Sequence, residues 1–324
     1  MTATPLIQNI PAGETIEVAD AEALGEAIRR CARDGKPVVD YGAYHGGLGH
    51  APPHDYVAIE QAAGVIEHYI SDMTVKVRAA TPLRELQTAL AEQNQWLPID
   101  GMNPATSIGE IIAHQAHGPL CVGFGTMREI MLGLSYVDVE GRAITVGGRT
   151  VKNVAGYDMT RFMVGSLNML GLVTEATLRT WAIPEQVTHV SLPYLEAAAF
   201  QKHLTYLLTH DAAPQYLSWQ KAPDAPPTAH LGYLGSEREC GARFAAQREW
   251  LPTVGYDPRA DGAERKDAPL ATDETNRQQR HAWRDTAGAL VKLIVPPRDW
   301  AEAADAVAAA DLPAGSWIDA LPTR

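Results

Sequence analysis

The run Gly42-Ala43-Tyr44-His45-Gly46-Gly47 is the part of this chain whose residue types best suit an anionic ligand. It follows Lys36-Pro37-Val38-Val39-Asp40-Tyr41, which reads as a short strand. A strand that empties into a glycine-rich turn exposes consecutive backbone N–H groups, and such a nest cradles a pyrophosphate. No helical pattern follows the glycines, so this is not a Rossmann fingerprint, and a plain surface turn is the competing reading. A second candidate is Thr106-Ser107-Ile108-Gly109, which opens a helical stretch at 109–116 closed by Gly118-Pro119; a helix N-terminus there suits phosphate oxygens. The third is 147–179, GGRTVKNVAGYDMTRFMVGSLNMLGLVTEATLR, with glycines at each corner of a short helix and a strand. Spacing alone fits backbone laid against a bulky ligand and fits tight turns in an antiparallel sheet equally well. Metal chemistry has little to draw on. Cys31, Cys121 and Cys240 are far apart with no CxxC pair, which excludes an iron–sulfur cluster or a cysteine zinc site. His45, His50, His54, His114 and His117 show no fixed metal spacing and read as hydrogen-bonding or exposed residues.

Several elements must position these stretches. Asp20 caps a helix with Leu24, Ala27, Ile28 and Cys31 on one face, ended by Gly35. Strands are expected at 57–60 and 73–79. Thr81 is then expected to cap, and Pro82 to open, a helix at 82–93 that buries Leu83, Leu86, Ala89 and Leu90. Leu134–Val139 and Ala143–Val146 form a hairpin about Glu140-Gly141, and 157–163 is a short helix. The strand at 172–179 alternates apolar and polar residues, as a half-buried strand does. Pro184 marks a boundary. Beyond it the pattern predicts a strand at 187–192, a helix at 194–209, strands at 215–220 and 228–234, and a helix at 237–250. A surface connection at 252–287 leads to a strand at 289–295, a helix at 298–310 and a strand at 315–319. The order βαββαβ predicts a ferredoxin-like domain.

Lys152-Asn153-Val154-Ala155-Gly156-Tyr157-Asp158, then Gly165-Ser166, then Leu170-Gly171 with Thr174-Glu175 resemble the segment that closes the FAD-binding domain of the p-cresol methylhydroxylase (PCMH)/vanillyl-alcohol oxidase family. Within that family the chain is most similar to the smaller FAD-binding subunits of glycolate oxidase. Phe124-Gly125-Thr126-Met127-Arg128-Glu129 fits a second motif of the family, and the pattern runs in order from about residue 16 to residue 182. The resemblance implies an α+β chain: a two-lobed PCMH-type FAD-binding domain at 1–183, followed by a ferredoxin-like α+β cap at 184–324, shortened relative to the family. It implies cofactor contacts from Gly42, Ala43, Tyr44, His45, Gly46, Gly47, Thr106, Ser107, Ile108, Gly109, Gly118, Gly125, Thr126, Val173 and Glu175, and identifies no catalytic base. The implied activity is oxidation of a 2-hydroxy acid, glycolate to glyoxylate, with electrons passed to a partner. The implied partners are a larger flavin-containing catalytic subunit and an iron–sulfur subunit. A self-sufficient FAD-dependent oxidoreductase and a flavin-less assembly subunit are the alternatives.

Departures from the family bear on those alternatives. His45 precedes its Gly-Gly pair instead of following it, so non-covalent FAD is expected. Asp40 and Glu110 place acidic groups where phosphates are expected, and Glu110 stands where the family has glycine. The family's His-Gly-Asp-Gly-Asn segment, used for 2-hydroxy acids by the larger subunits, has no counterpart; Ala229-His230-Leu231-Gly232-Tyr233 is the nearest string and does not match. At 324 residues and 46% hydrophobic, the chain has enough material for two cores. A net charge of -12 argues against a nucleic-acid or anionic-membrane surface. There is no apolar run long enough to insert in a bilayer and no basic, apolar leader, so a cytoplasmic protein is expected, membrane-associated only through partners.

Overall fold

Asp20 starts the first helix as its side chain predicts. Its Oδ1 accepts from the Ala23 N–H at 2.9 Å, and the helix that follows buries Leu24, Ala27, Ile28 and Cys31. The computed structural model describes residues 14–40, 57–100, 104–148, 158–193, 196–210, 213–221, 227–256, 264–268 and 318–320. The first lobe consists of β1 (Glu14–Val18), α1 (Ala21–Arg33), β2 (Val38–Asp40) and β3 (Val57–Gln61). Its three strands pair in parallel in the order β1-β3-β2, so their carboxyl ends, Val18, Asp40 and Gln61, lie along one edge.

The second lobe follows. Its elements are β4 (Val65–Tyr69), β5 (Thr74–Arg78), α2 (Leu83–Ala91), β6 (Gln95–Trp96), α3 (Ile108–His114), α4 (Cys121–Phe124), α5 (Met127–Ile130), β7 (Met131–Asp138), β8 (Ala143–Gly147), α6 (Met159–Met163), β9 (Gly171–Arg179) and β10 (Trp181–Ala182). An antiparallel sheet in the order β4-β5-β9-β7-β8 packs its apolar face on α2 and α3, with Val75, Val77, Leu86, Leu90, Ile111, Ile112, Leu134 and Leu178 in one core. Two local expectations need correction. Thr81 does not cap α2; Pro82 holds the N-cap position, and the Thr81 hydroxyl instead accepts from the Gly64 N–H at 2.8 Å. β9 does not alternate cleanly. Ser135 pairs with Glu175 but Tyr136 pairs with Val173, which leaves Thr174 as an extra residue, a β-bulge. The bulge brings Val173 onto the same apolar cluster as Ala176 and Leu178.

The two lobes meet where α1 crosses the β7–β8 turn. Val137 and Leu172 share a cluster with Val18, Leu24, Ile28, Val57 and Ile59, and Arg29 Nη1 donates to the Gly141 carbonyl at 2.6 Å. Asp138 builds that turn: its Oδ1 accepts from the N–H groups of Glu140 and Arg142, and its Oδ2 accepts from Arg142 Nε at 2.7 Å. Burial pushes the Asp138 carboxyl up, but these bonds outweigh it and hold the group below its ordinary value. A Cβ on Gly25 would lie 2.4 Å from the Gly141 carbonyl oxygen. Helix propensity alone favours Gly25→Ala by about 1 kcal/mol, yet the clash with backbone reverses the sign. Gly25→Ala is expected to destabilise by about 2 kcal/mol in urea unfolding; a gain in stability would show that the lobes separate freely.

The remaining elements are β11 (Gln186–Pro193), α7 (Ala197–Thr209), β12 (Tyr216–Lys221), β13 (Thr228–Gly235), α8 (Glu237–Trp250), β14 (Glu264–Ala268) and β15 (Ile318–Ala320). Their sheet is antiparallel in the order β14-β11-β13-β12-β15. β14 falls inside the stretch expected to be a connection. Its sequence, ERKDA, is charged rather than alternating because it is an edge strand, a position that tolerates charge, and Arg265 stacks over the Phe244 ring at 4.7 Å. The expected strand at 289–295 and helix at 298–310 lie outside the described residues. One face of this sheet buries Val190, Leu192, Leu217, Trp219, Leu231 and Tyr233 against Phe200, Leu204, Leu207 and Cys240 of the helices. The opposite face, through Val187, Tyr216 and Leu234, meets Trp96, Leu120, Phe124 and Trp181.

Candidate functional site

The candidate site is best followed outward from Ala79, the residue after β5. Its N–H donates to the Thr174 carbonyl at 2.8 Å, and its own carbonyl accepts from the Gly109 N–H at 2.7 Å. One residue therefore clamps two stretches that the sequence marked separately, 106–109 and 173–175. A Cβ on Gly109 would stand 3.0 Å from Ala79 Cβ, so glycine there permits the clamp. From the other lobe, Gln61 at the end of β3 donates its Nε2 to the Val173 carbonyl at 3.0 Å. The carboxyl-end edge of the parallel sheet is thus fixed against the β9 bulge and the start of α3. Crevices beside the carboxyl ends of parallel strands are where open α/β sheets bind nucleotides. Asp40, the last residue of β2, lies on the same edge and leads directly into Gly42–Gly47.

The individual residues divide as follows. Gly42, Ala43, Tyr44, His45, Gly46 and Gly47 lie outside the described residues. Thr106 and Ser107 are buried; the Thr106 carbonyl accepts from the Leu83 N–H, and Ser107 caps α3 by accepting from the Glu110 N–H at 3.2 Å. Ile108 N–H donates to the Thr81 carbonyl at 3.0 Å. The first three amides of α3, at 108, 109 and 110, are therefore directed into the protein, which differs from a helix start open to phosphate. Glu110 is 6% exposed and so is not a solvent-facing helix-start acid. Val173 is buried, and the Glu175 carboxylate pairs with Lys76 Nζ at 2.7 Å.

Gly118, Gly125 and Thr126 belong to a second place, nearer the β11–β15 sheet. Gly118 is wedged on Asp100, where a Cβ would lie 2.4 Å from the Asp100 carbonyl oxygen, and Asp100 Oδ1 accepts from the Leu120 N–H. Pro119 accepts from the Leu217 N–H of β12, and the Gly123 N–H donates to Gln215. The Thr126 hydroxyl completes a capping box, donating to Glu129 Oε2 at 2.6 Å. Burial raises the Glu129 carboxyl, but the Thr126 bonds win and hold it low. Sequence reasoning missed Ala79, Gln61 and the Thr174 bulge. Only the bulge left a trace, in the adjacent apolar pair Leu172-Val173 that interrupts the alternation. Among the described residues, no group of three or more His, Cys, Asp and Glu side chains is placed to hold a metal ion, and no helix is long and apolar enough to cross a membrane.

Residues 14–147 match the family model described as an FAD binding domain. A mitochondrial D-lactate dehydrogenase [cytochrome] of Arabidopsis thaliana is 33% identical over 183 residues, covering 55% of this chain and 32% of that protein. The glycolate oxidase subunit GlcE of Escherichia coli (strain K12) is 28% identical over 167 residues, 51% of this chain and 48% of that protein. The chain thus spans less than half the length of either relative. A solved alkyldihydroxyacetonephosphate synthase superposes with a TM-score of 0.65 at 14% identity, covering 83% of this chain and 55% of that one, which extends the likeness of fold beyond the matched domain. What the described residues offer an FAD is the carboxyl-end edge of a parallel sheet, along which the two lobes join. The likeness of this chain, over residues 14–147, is thus to FAD binding domains.

Proposed function

We propose that this chain holds one FAD non-covalently between its two lobes and acts as the FAD-binding subunit of a glycolate oxidase-like complex. In that complex a 2-hydroxy acid such as glycolate is oxidised and its electrons pass to a partner. The flavin supplies the redox chemistry, while the protein binds and orients it. The supporting observation is the convergence of Gln61, Ala79, Gly109 and Val173 beside the end of β2, within a chain whose relatives include a lactate dehydrogenase and a glycolate oxidase subunit. Phosphates of the cofactor would rest on Gly42–Gly47, since the first amides of α3 already have protein acceptors. The four strands β14-β11-β13-β12, joined through α7 and α8 in β-α-β-β-α-β sequence, support reading 184–324 as a ferredoxin-like cap. The larger flavin-containing catalytic subunit and the iron–sulfur subunit are proposed partners because the similar GlcE of Escherichia coli is named as a subunit of glycolate oxidase.

Purified chain is expected to be yellow, and acid precipitation is expected to release all of the flavin to the supernatant. Colourless protein that takes up no added FAD would sink the proposal in favour of an assembly subunit. Anaerobic glycolate or D-lactate should leave the flavin oxidised until partner subunits are added. Bleaching by the isolated chain would favour a self-sufficient oxidoreductase instead.

A further inference from the structure

Among the described residues, exposed large apolar side chains fall in two places. Four lie in β4 or just after it; the other five are Val139, Phe162, Leu167, Met169 and Leu170. The fold brings these five together. Asp138 pairs with Gly171 at the end of the β7–β9 ladder, so Val139 and Leu170 face each other just beyond it. The Ser166 N–H donates to the Met163 carbonyl and the Met169 N–H to the Ser166 carbonyl, two turns that fold the chain between α6 and β9 back on itself. Val139 is 63% exposed, Phe162 59% and Met169 76%. The loop that carries them is held firmly. The N–H groups of Gly165 and Leu167 donate to the carbonyls of Ile112 and Ala113 at 2.9 Å, near the end of α3, and Arg128 Nη2 donates to the Val164 carbonyl. Leu167 and Asn168 have φ +54° and +59°, a conformation that suits asparagine and that leucine adopts only at a cost. Capping α3 accounts for this backbone but not for apolar side chains directed at water. We propose that the patch is a self-association face, which closes on the same patch of a second copy about a two-fold axis.

Charge and area select that occupant. The charged groups around the patch neutralise one another within the chain: Arg161 pairs with Asp158 at 3.3 Å, and Arg142 with Asp138 at 2.6 Å and Glu140 at 2.9 Å. A two-fold contact therefore sets no uncompensated like charges against each other, and the rim selects no partner of either sign. An anionic bilayer is disfavoured, because the chain carries a net charge of -12 and both arginines at the patch are paired. The fractional exposures, applied to side-chain surfaces of about 150–200 Å², give roughly 500 Å² of apolar patch. Two copies would bury about 1,000 Å², somewhat less than the roughly 1,200–2,000 Å² of a stable complex. The dimer is thus reversible, with a dissociation constant on the order of 10–100 µM. The pinned loop keeps the cost of ordering small. Because each copy carries -12, added salt should strengthen the pairing, whereas a contact held by ion pairs would weaken. The inference does not depend on the flavin.

The test is sedimentation velocity of the full chain from about 1 to about 200 µM, in low and in high salt. A monomer–dimer equilibrium that tightens with salt is expected. Met169→Glu, at a position too exposed to support folding, should weaken the dimer at least roughly 10-fold and leave the urea midpoint unchanged. Ile66→Glu adds the same charge at an exposed apolar residue outside the patch and should leave the equilibrium unchanged. Monomer at every concentration is the result if the patch serves only a different protein, and it would overturn the proposal. So would a dimer that salt weakens, one that Met169→Glu leaves intact, or one that Ile66→Glu weakens equally. Monomeric protein that floats with phosphatidylcholine vesicles, and no longer does so as Met169→Glu, would give the patch to a lipid surface and overturn it as well.

Discussion

Gly171→Ala is expected to remove about 4 kcal/mol or more of stability from the second lobe, a large part of what a domain possesses. Two independent costs combine. Gly171 has φ +150°, a conformation that residues with a Cβ rarely adopt, and holding one there costs on the order of 1–3 kcal/mol. The added Cβ would also stand 2.4 Å from the Val137 carbonyl oxygen and 2.9 Å from Asp138 Cα. Both are backbone atoms of β7, the strand to which β9 is hydrogen-bonded, so neither can yield like the end of a flexible side chain. The strain would fall on Val137 and Leu172, which fasten this lobe to the first, and two residues beyond lies Val173, bound to Gln61. Loss of FAD is therefore expected along with stability. Gly64→Ala separates the two costs, because Gly64 has φ +120° but nothing within 4 Å of an added Cβ. It should cost only the conformational part, about 1–3 kcal/mol. Equal urea midpoints for the two variants would contradict the steric argument.

The elements that were legible in the sequence carry their instructions locally. Asp20 and the spacing of Leu24, Ala27, Ile28 and Cys31 define α1 without reference to the rest of the chain. Ser236 and Glu239 close a capping box on each other, and α8 runs from 237 to 250 as the pattern predicts. The illegible parts depend on partners distant in sequence. β4 is an edge strand, Val65-Ile66-Glu67-His68-Tyr69, with no clean alternation because it packs little on either face. Four of the five residues of β14, ERKDA, are charged, and only its pairing with β11 makes it a strand. At the candidate site, the sequence marked 106–109 and 173–175 but not the residue that joins them. Ala79 acts through its backbone, which any residue type supplies, so its identity carries no signal. The reading of a helix start open to phosphate failed for a related reason: the carbonyls of Ala79 and Thr81 take the amides of Gly109 and Ile108, and they arrive from β5 and the turn after it.

Acid should weaken the C-terminal part of the chain through a single buried histidine. His203, on α7, is fully buried, and neither ring nitrogen has a hydrogen-bond partner; its ring stacks on Trp250 at 4.9 Å with 15° between planes. Burial alone pushes its pKa down from 6.5 to about 3. In the folded protein it stays neutral down to about pH 3, while in the unfolded chain it takes up a proton below about 6.5. The unfolded state therefore binds more protons throughout that window, and stability falls as pH falls through it, by about 1.4 kcal/mol per unit. Above pH 6.5 the group contributes no slope, and the total loss by pH 3 approaches 5 kcal/mol at most. His203→Phe keeps the stack on Trp250 and removes both the orphaned nitrogens and the titration. At pH 7 the variant is expected to gain about 1 kcal/mol, the lifted desolvation cost less some overpacking. At pH 4 the advantage should widen by roughly 3 kcal/mol. Urea unfolding at both pH values, followed by the fluorescence of Trp219 and Trp250 in this sheet and its helices, measures the difference. An advantage that stays constant from pH 7 to pH 4 would mean that the imidazole reaches water in the folded state, and that the stack on Trp250 does not seal it.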